Sequence, residues 1–182
     1  ELGDLVVFDD NLALPGFHIF GPKKGVVMSK QDCFYLQQPL ASIHTDIQYK
    51  EHNEYWSQFK HVDLQNTLSF TMAIKLPKHG GGLYIWDWAE FDQEMIDTFN
   101  FQHNDDKVDV LKNKYLWDNG SVNGYNPTEE PLYEEYVEGN MVYFIGHLVH
   151  QIAPATVCEP TDRRITLQGH GVKCDGIWRC YF

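Results

Sequence analysis

Positive charge is scarce in this chain. Fourteen Lys and Arg stand against 26 Asp and Glu, for a formal net charge of -12. A surface of that sign repels phosphates, so neither a nucleic-acid backbone nor an anionic membrane face is an expected partner. Long apolar runs are missing as well. None approaches the roughly 18 residues needed to span a bilayer. Cysteine is limited to Cys33, Cys158, Cys174 and Cys180, and no pair has CxxC zinc spacing. Four free thiols in a reducing compartment are expected, with a Cys174–Cys180 bridge as the alternative. The chain opens at Glu1 without a basic-then-apolar leader, and a cytoplasmic location is the expectation. Internal repeats and low-complexity linkers are also absent.

What remains is a chain of 182 residues, 43% hydrophobic and 14% aromatic, enough for one domain with a sizeable core. The aromatic share suits a β-rich fold. Short runs with strand character recur at Val26–Met28, Cys33–Gln37, Ser42–Tyr49, Thr67–Ile74, Leu83–Trp88, Met141–Ile145 and Arg164–Val172. Gly, Pro, Asn and Asp punctuate them, as in Gly80–Gly81–Gly82 and Pro160–Thr161–Asp162. Many short strands with turn signals predict a sandwich, barrel or jelly roll, mainly β with a few helices. An acidic, aromatic-rich stretch from about 88 to 138 interrupts the pattern. Fourteen of the 26 acidic residues fall between Asp87 and Glu138, against three lysines. It reads as an insertion between two core strands, either a mobile lid over the site or a solvated excursion.

The residues with chemistry are few. His44 and Asp46 are two apart, so on a strand both side chains project to one side, with Gln48. A second histidine lies about a hundred residues later, in Phe144–Ile145–Gly146–His147–Leu148–Val149–His150–Gln151–Ile152–Ala153–Pro154. His150 is preferred over His147 because it adjoins a returning strand. Two histidines and one carboxylate bind one face of a mononuclear Fe(II) and leave its other positions open. Arg164 and Thr166 are also two apart, and they share a strand face with Gln168 and His170. A guanidinium beside a hydroxyl is suited to both oxygens of a carboxylate. Arg163 would face the other way. Trp86, Asp87 and Trp88 end a core strand and are candidates to line a pocket mouth. Tyr35 and Gln37 are candidates to reach a co-substrate from a neighbouring strand.

The order His44–x–Asp46, His150–x–Ile152–x–Pro154, Arg164–x–Thr166 resembles the Fe(II)/2-oxoglutarate-dependent oxygenase superfamily, in particular its prolyl 4-hydroxylase-like and phytanoyl-CoA-hydroxylase-like members. Thr67–Leu76, Gly81–Gly82–Leu83–Tyr84–Ile85 and Gly139–Asn140–Met141–Val142–Tyr143–Phe144 resemble further strands of that family. The likeness runs from about Ser42 to Val172. It implies a double-stranded β-helix, that is, a cupin-like jelly roll. It implies His44, Asp46 and His150 as iron ligands, and 2-oxoglutarate and O2 as co-substrates, with Arg164 and Thr166 holding the distal carboxylate. The 14-residue step from His150 to Arg164 leaves Arg163 in competition for that role. Related halogenases have a small residue in place of the carboxylate ligand, so Asp46 favours hydroxylation. The implied substrate is an amino acid, a peptide or a small natural product, and the acidic balance points to a cationic or neutral one. The rival reading is a cupin-like metal-binding protein, enzyme or sensor, without 2-oxoglutarate chemistry. Arg164–x–Thr166 counts against it.

Overall fold

A computed structural model describes residues 3–38, 40–41, 44–46, 48–86, 117–118, 121–122 and 131–182. Among them the chain is mostly β with few helices. The largest sheet holds β1 (Val6–Phe8), β2 (Gly16–Phe20), β3 (Val62–Lys75), β9 (Met141–Ile145), β12 (Arg164–Cys174) and β13 (Ile177–Tyr181). Its order is β1-β13-β12-β3-β9, with β2 paired to β12. A three-stranded sheet runs β10-β5-β8, from Val149–Ile152, Leu83–Trp86 and Leu132–Glu134. Two small pairs join β4 (His79–Gly80) to β11 (Ala155–Val157), and β6 (Trp117–Asp118) to β7 (Ser121–Val122).

Register decides which side chains meet. Along β12, Thr166 lies opposite His18 on β2 and Ala73 on β3. Gln168 lies opposite Thr71, and His170 opposite Ser69 on one side and Tyr181 on the other. Since facing residues in a ladder share a sheet face, these rows form one inner face. It packs towards the three-stranded sheet: Ala73 clusters with Leu83 and the buried Tyr136, and Ile85, Val142 and Phe144 pack around them. A second cluster of Leu12, Tyr49, Trp56, Val172, Cys174 and Tyr181 closes the far end of that face. Burying several large aromatic and aliphatic side chains there contributes roughly 1.5–3 kcal/mol each.

Several expected elements take another form. Residues 26–28 are not a strand. Cys33–Gln37 is not one either: α1 spans Lys30–Leu36, started by a capping box in which Ser29 and Asp32 satisfy each other's backbone N–H groups. Cys33 and Leu36, three apart, bury its inner side. Between 42 and 49 the described residues, 44–46 and 48–49, do not form a regular strand. His44 makes an isolated bridge to His150, and the chain then enters a 3-10 turn at Gln48–His52 and a short α2 at Asn53–Trp56. Trp56 Nε1 donates to the Tyr49 carbonyl, which ties this segment to the core. The acidic stretch falls largely outside the described residues, and so does the lid expectation. Its last part is built in, since β8 pairs with β5 and Tyr136 is buried. The four cysteines are free thiols. Cys174 and Cys180 belong to clusters on opposite faces of the large sheet, so the Cys174–Cys180 alternative does not fit.

Candidate metal centre and carboxylate site

Backbone hydrogen bonds place the first two residues of the site. His44 and His150 exchange both N–H···O=C bonds, at 3.0 and 2.9 Å. The Asp46 N–H donates to the Gly146 carbonyl at 2.7 Å, and the Gly146 N–H to Thr67 at 3.0 Å. A side chain at position 146 would crowd this junction. A Cβ there would lie 2.8 Å from Thr67 Oγ1 and 3.1 Å from the Asp46 carbonyl. A strand end and a loop are thereby held side by side, and their side chains converge.

One ligand atom from each of His44, Asp46 and His150 lies within 4.8 Å of the other two. Nε2 of His44 is 3.7 Å from Asp46 Oδ1, and Nε2 of His150 is 3.5 Å from Oδ2. Asp46 and His150 are buried, whereas His44 is partly open. The tautomer of His150 follows from its surroundings. Nδ1 lies 2.8 Å from the Leu148 carbonyl, which can only accept, so Nδ1 carries the proton and Nε2 presents its lone pair. Burial pushes the Asp46 carboxyl up, but His150, His170, His44 and the Ser69 hydroxyl together hold it below its ordinary value. Burial depresses the His150 imidazole, against the pull of Asp46, and keeps it neutral. A neutral imidazole at His150 and an ionised carboxylate at Asp46 are the protonation states a divalent cation requires of them.

Arg164 is fully buried. Its Nε donates to the Gly81 carbonyl at 2.9 Å and its Nη1 to Thr166 Oγ1 at 3.2 Å. The guanidinium lies 5.6 Å from the Tyr136 ring centre. Its Nη2 is buried with no hydrogen-bond partner among the described residues. A buried, unpaired charged donor is costly unless a ligand answers it. Thr166 also accepts from Gln168 Nε2 at 3.1 Å, which links the arginine to the cavity wall. Arg163 precedes the first residue of β12 and is less buried.

A cavity of about 480 Å³ opens over the three convergent residues, bordered by His18, Thr71, Leu83, Phe144, Gln168 and His170 among others. That volume is in the range of small-molecule sites. The remaining expected residues sit elsewhere. Tyr35 is exposed on α1, and Gln37 donates to the Thr156 carbonyl; neither borders the cavity, because their segment is a helix rather than a neighbouring strand. Trp86 is buried and does not border the cavity, and Trp88 lies outside the described residues. His147 is buried against the Tyr49 hydroxyl at 3.2 Å, away from the convergent group. His170 and Ser69 had no role in the sequence expectation. The His170 Nδ1 lies 3.7 Å from Asp46 Oδ2 and 3.3 Å from Ser69 Oγ. The signal for His170 was present, since it is three same-face steps beyond Arg164. Ser69 needed the register of β3 against β12.

No protein-family model matches the chain, and no curated protein matches it. Among solved structures, the chain is similar to an N-substituted L-amino acid dioxygenase from Burkholderia ambifaria AMMD, with a TM-score of 0.47 and 12% identity over 93% of this chain and 53% of that one. A structure of an N-substituted L-amino acid dioxygenase from the same organism in complex with alpha-KG gives a TM-score of 0.40 and 14% identity over 64% of this chain and 39% of that one. The chain thus spans about half the length of the first. Likenesses of this degree leave the chemistry to be read from the side chains.

Proposed function

We propose that this chain is an Fe(II)- and 2-oxoglutarate-dependent dioxygenase on a double-stranded β-helix, hydroxylating an unactivated C–H bond of an amino acid, peptide or small natural product. One observation carries the reading. A buried guanidinium whose Nη2 has no partner among the described residues, Arg164, is linked through Thr166 and Gln168 to the wall of the cavity that holds a convergent His–Asp–His group, although neither Arg164 nor Thr166 itself borders that cavity. A metal-binding protein without an acidic co-substrate has no use for that arginine.

In this reading His44, Asp46 and His150 hold the metal, and the open side of the group faces the cavity. When bound, iron with 2-oxoglutarate supplies the oxidising power to break a C–H bond, using O2. The chain's own residues do the rest. Arg164 Nη2 takes an oxygen of the co-substrate's distal carboxylate, and Thr166 orients the guanidinium by accepting from Nη1. Tyr136 covers the arginine and keeps water from competing for it. Leu148 fixes the His150 tautomer through its carbonyl. Leu83, Phe144 and Ile152 give the cavity an apolar wall that excludes bulk water.

The test is product formation. Protein supplied with Fe(II), O2 and 2-oxoglutarate is expected to release succinate slowly even before its own substrate is found. Replacing Asp46 by Ala should abolish that release. Metal-loaded protein that leaves 2-oxoglutarate untouched would remove the reading.

A further inference from the structure

The cavity's polar lining is unevenly divided. Among the described residues it carries four imidazoles, from His18, His44, His150 and His170, against a single carboxylate, Asp46. On the proposed function, which this inference rests on, Asp46 is already committed to the metal. The doubly charged metal and Arg164 balance Asp46 and a doubly charged co-substrate. Among the described residues no net negative charge is left to hold an ammonium group, although the chain as a whole is strongly acidic.

Two imidazoles lie outside the metal group. His170 is engaged through Nδ1 with Ser69 and Asp46. His18 is different. It stands on β2 opposite Thr166, faces the cavity, and is half-buried. It has no hydrogen-bond partner among the described residues, and its one close ring contact is edge-on to Phe182 at 5.4 Å. Phe20, two residues along the same strand face, borders the cavity too. A neutral imidazole keeps one N–H, so His18 donates without taking up a proton. An available donor beside Phe182 and two residues from Phe20, with no spare carboxylate among the described residues that line the cavity, suits an acceptor-bearing ligand with an apolar arm.

We propose that His18 binds a carboxylate of the substrate and that Phe20 and Phe182 hold the adjoining apolar part. The site thus selects an anionic or zwitterionic substrate through its acidic group, opposite to what the net charge of the chain suggests.

The test uses Mn(II)-loaded protein with saturating 2-oxoglutarate, so that Arg164 is occupied. Calorimetry then compares three probes of one shape: 3-phenylpropanoate, its primary amide and 3-phenylpropylamine. The carboxylate is expected to bind about tenfold tighter than the other two, as for a hydrogen bond to a charged group. His18→Phe should erase that preference while 2-oxoglutarate still binds through Arg164 and the metal. His18→Asn, which retains a donor, should keep part of it. A carboxylate that binds no better than the amide or the amine overturns the assignment of His18 alone, as does a preference that survives in His18→Phe. Failure of the metal-loaded protein to take up 2-oxoglutarate would overturn the oxygenase reading and this assignment together.

Discussion

Arg164 is the residue on which the functional reading turns, and its isolation makes it testable. Its Nη2 is buried and has no partner among the described residues, so an arriving carboxylate gains a charge-assisted bond without displacing one of them. Arg164→Met keeps much of the volume and removes the charge. It should weaken 2-oxoglutarate binding by roughly 2–5 kcal/mol, with metal binding largely spared. Arg163→Ala should change neither. The reverse pattern, measured by calorimetry, would mean that the neighbouring residue is the clamp. A second residue-level prediction concerns acid. Burial lowers the imidazoles of His150 and His170 below their ordinary value. As pH falls below about 6.5, the unfolded chain takes up protons on these side chains before the folded one does. The metal-free protein should therefore lose stability below about that pH. Asp46 acts in the same direction at lower pH, because its carboxyl is held down in the folded state and its contribution disappears once it is protonated. Thermal melts across that window should show the midpoint falling with pH, less steeply in His170→Gln. A midpoint that rises on acidification would mean that Asp46 stabilises the charged imidazoles.

Between the strands, the junction at Gly146 governs the metal group. It accepts from Asp46, donates to Thr67, and leaves no room for a Cβ. Gly146→Ala should cost about 1–3 kcal/mol by overpacking, and should also weaken metal binding by displacing Asp46. Normal metal affinity in a destabilised but folded variant would separate the junction from the site. This is also the scale at which the sequence was least readable. HxD spacing alone arises often by chance in a chain with nine histidines and 26 acidic residues; His44, Asp46 and His150 were marked out by its order with a later histidine before Ile152–x–Pro154. The strands at 67–74, 141–145 and 164–172 were readable as runs of strand character punctuated by turn residues. The segment around Tyr35 was misread because its apolar residues suit a strand. The decisive sign was the Ser29–x–x–Asp32 box before it, which satisfies backbone donors that a strand does not leave open. The 42–49 segment failed for another reason. His44 and Asp46 are positioned by bonds to His150 and Gly146, a tertiary arrangement that leaves no local periodicity.

At the level of the whole molecule, the two sheets act as walls. The large sheet supplies Arg164, Thr166, Gln168 and His170 from one strand face, and the loop and small sheet bring His44, Asp46 and His150 against it. Neither half is a site alone. In the proposed reading the arginine and the metal group answer opposite ends of one co-substrate, each held in place by strand register and backbone bonds. The net charge, by contrast, says little about this interior, where imidazoles outnumber carboxylates among the described residues. The central claim is that one small acid bridges metal and arginine. The direct measurement is the visible spectrum of the protein under strictly anaerobic conditions, with Fe(II) added first and 2-oxoglutarate second. The account predicts a weak metal-to-ligand charge-transfer band that appears only when both are present, is lost in Asp46→Ala, and in Arg164→Met needs far more 2-oxoglutarate. No band in the wild-type protein, with Fe(II) shown to be bound, would contradict it.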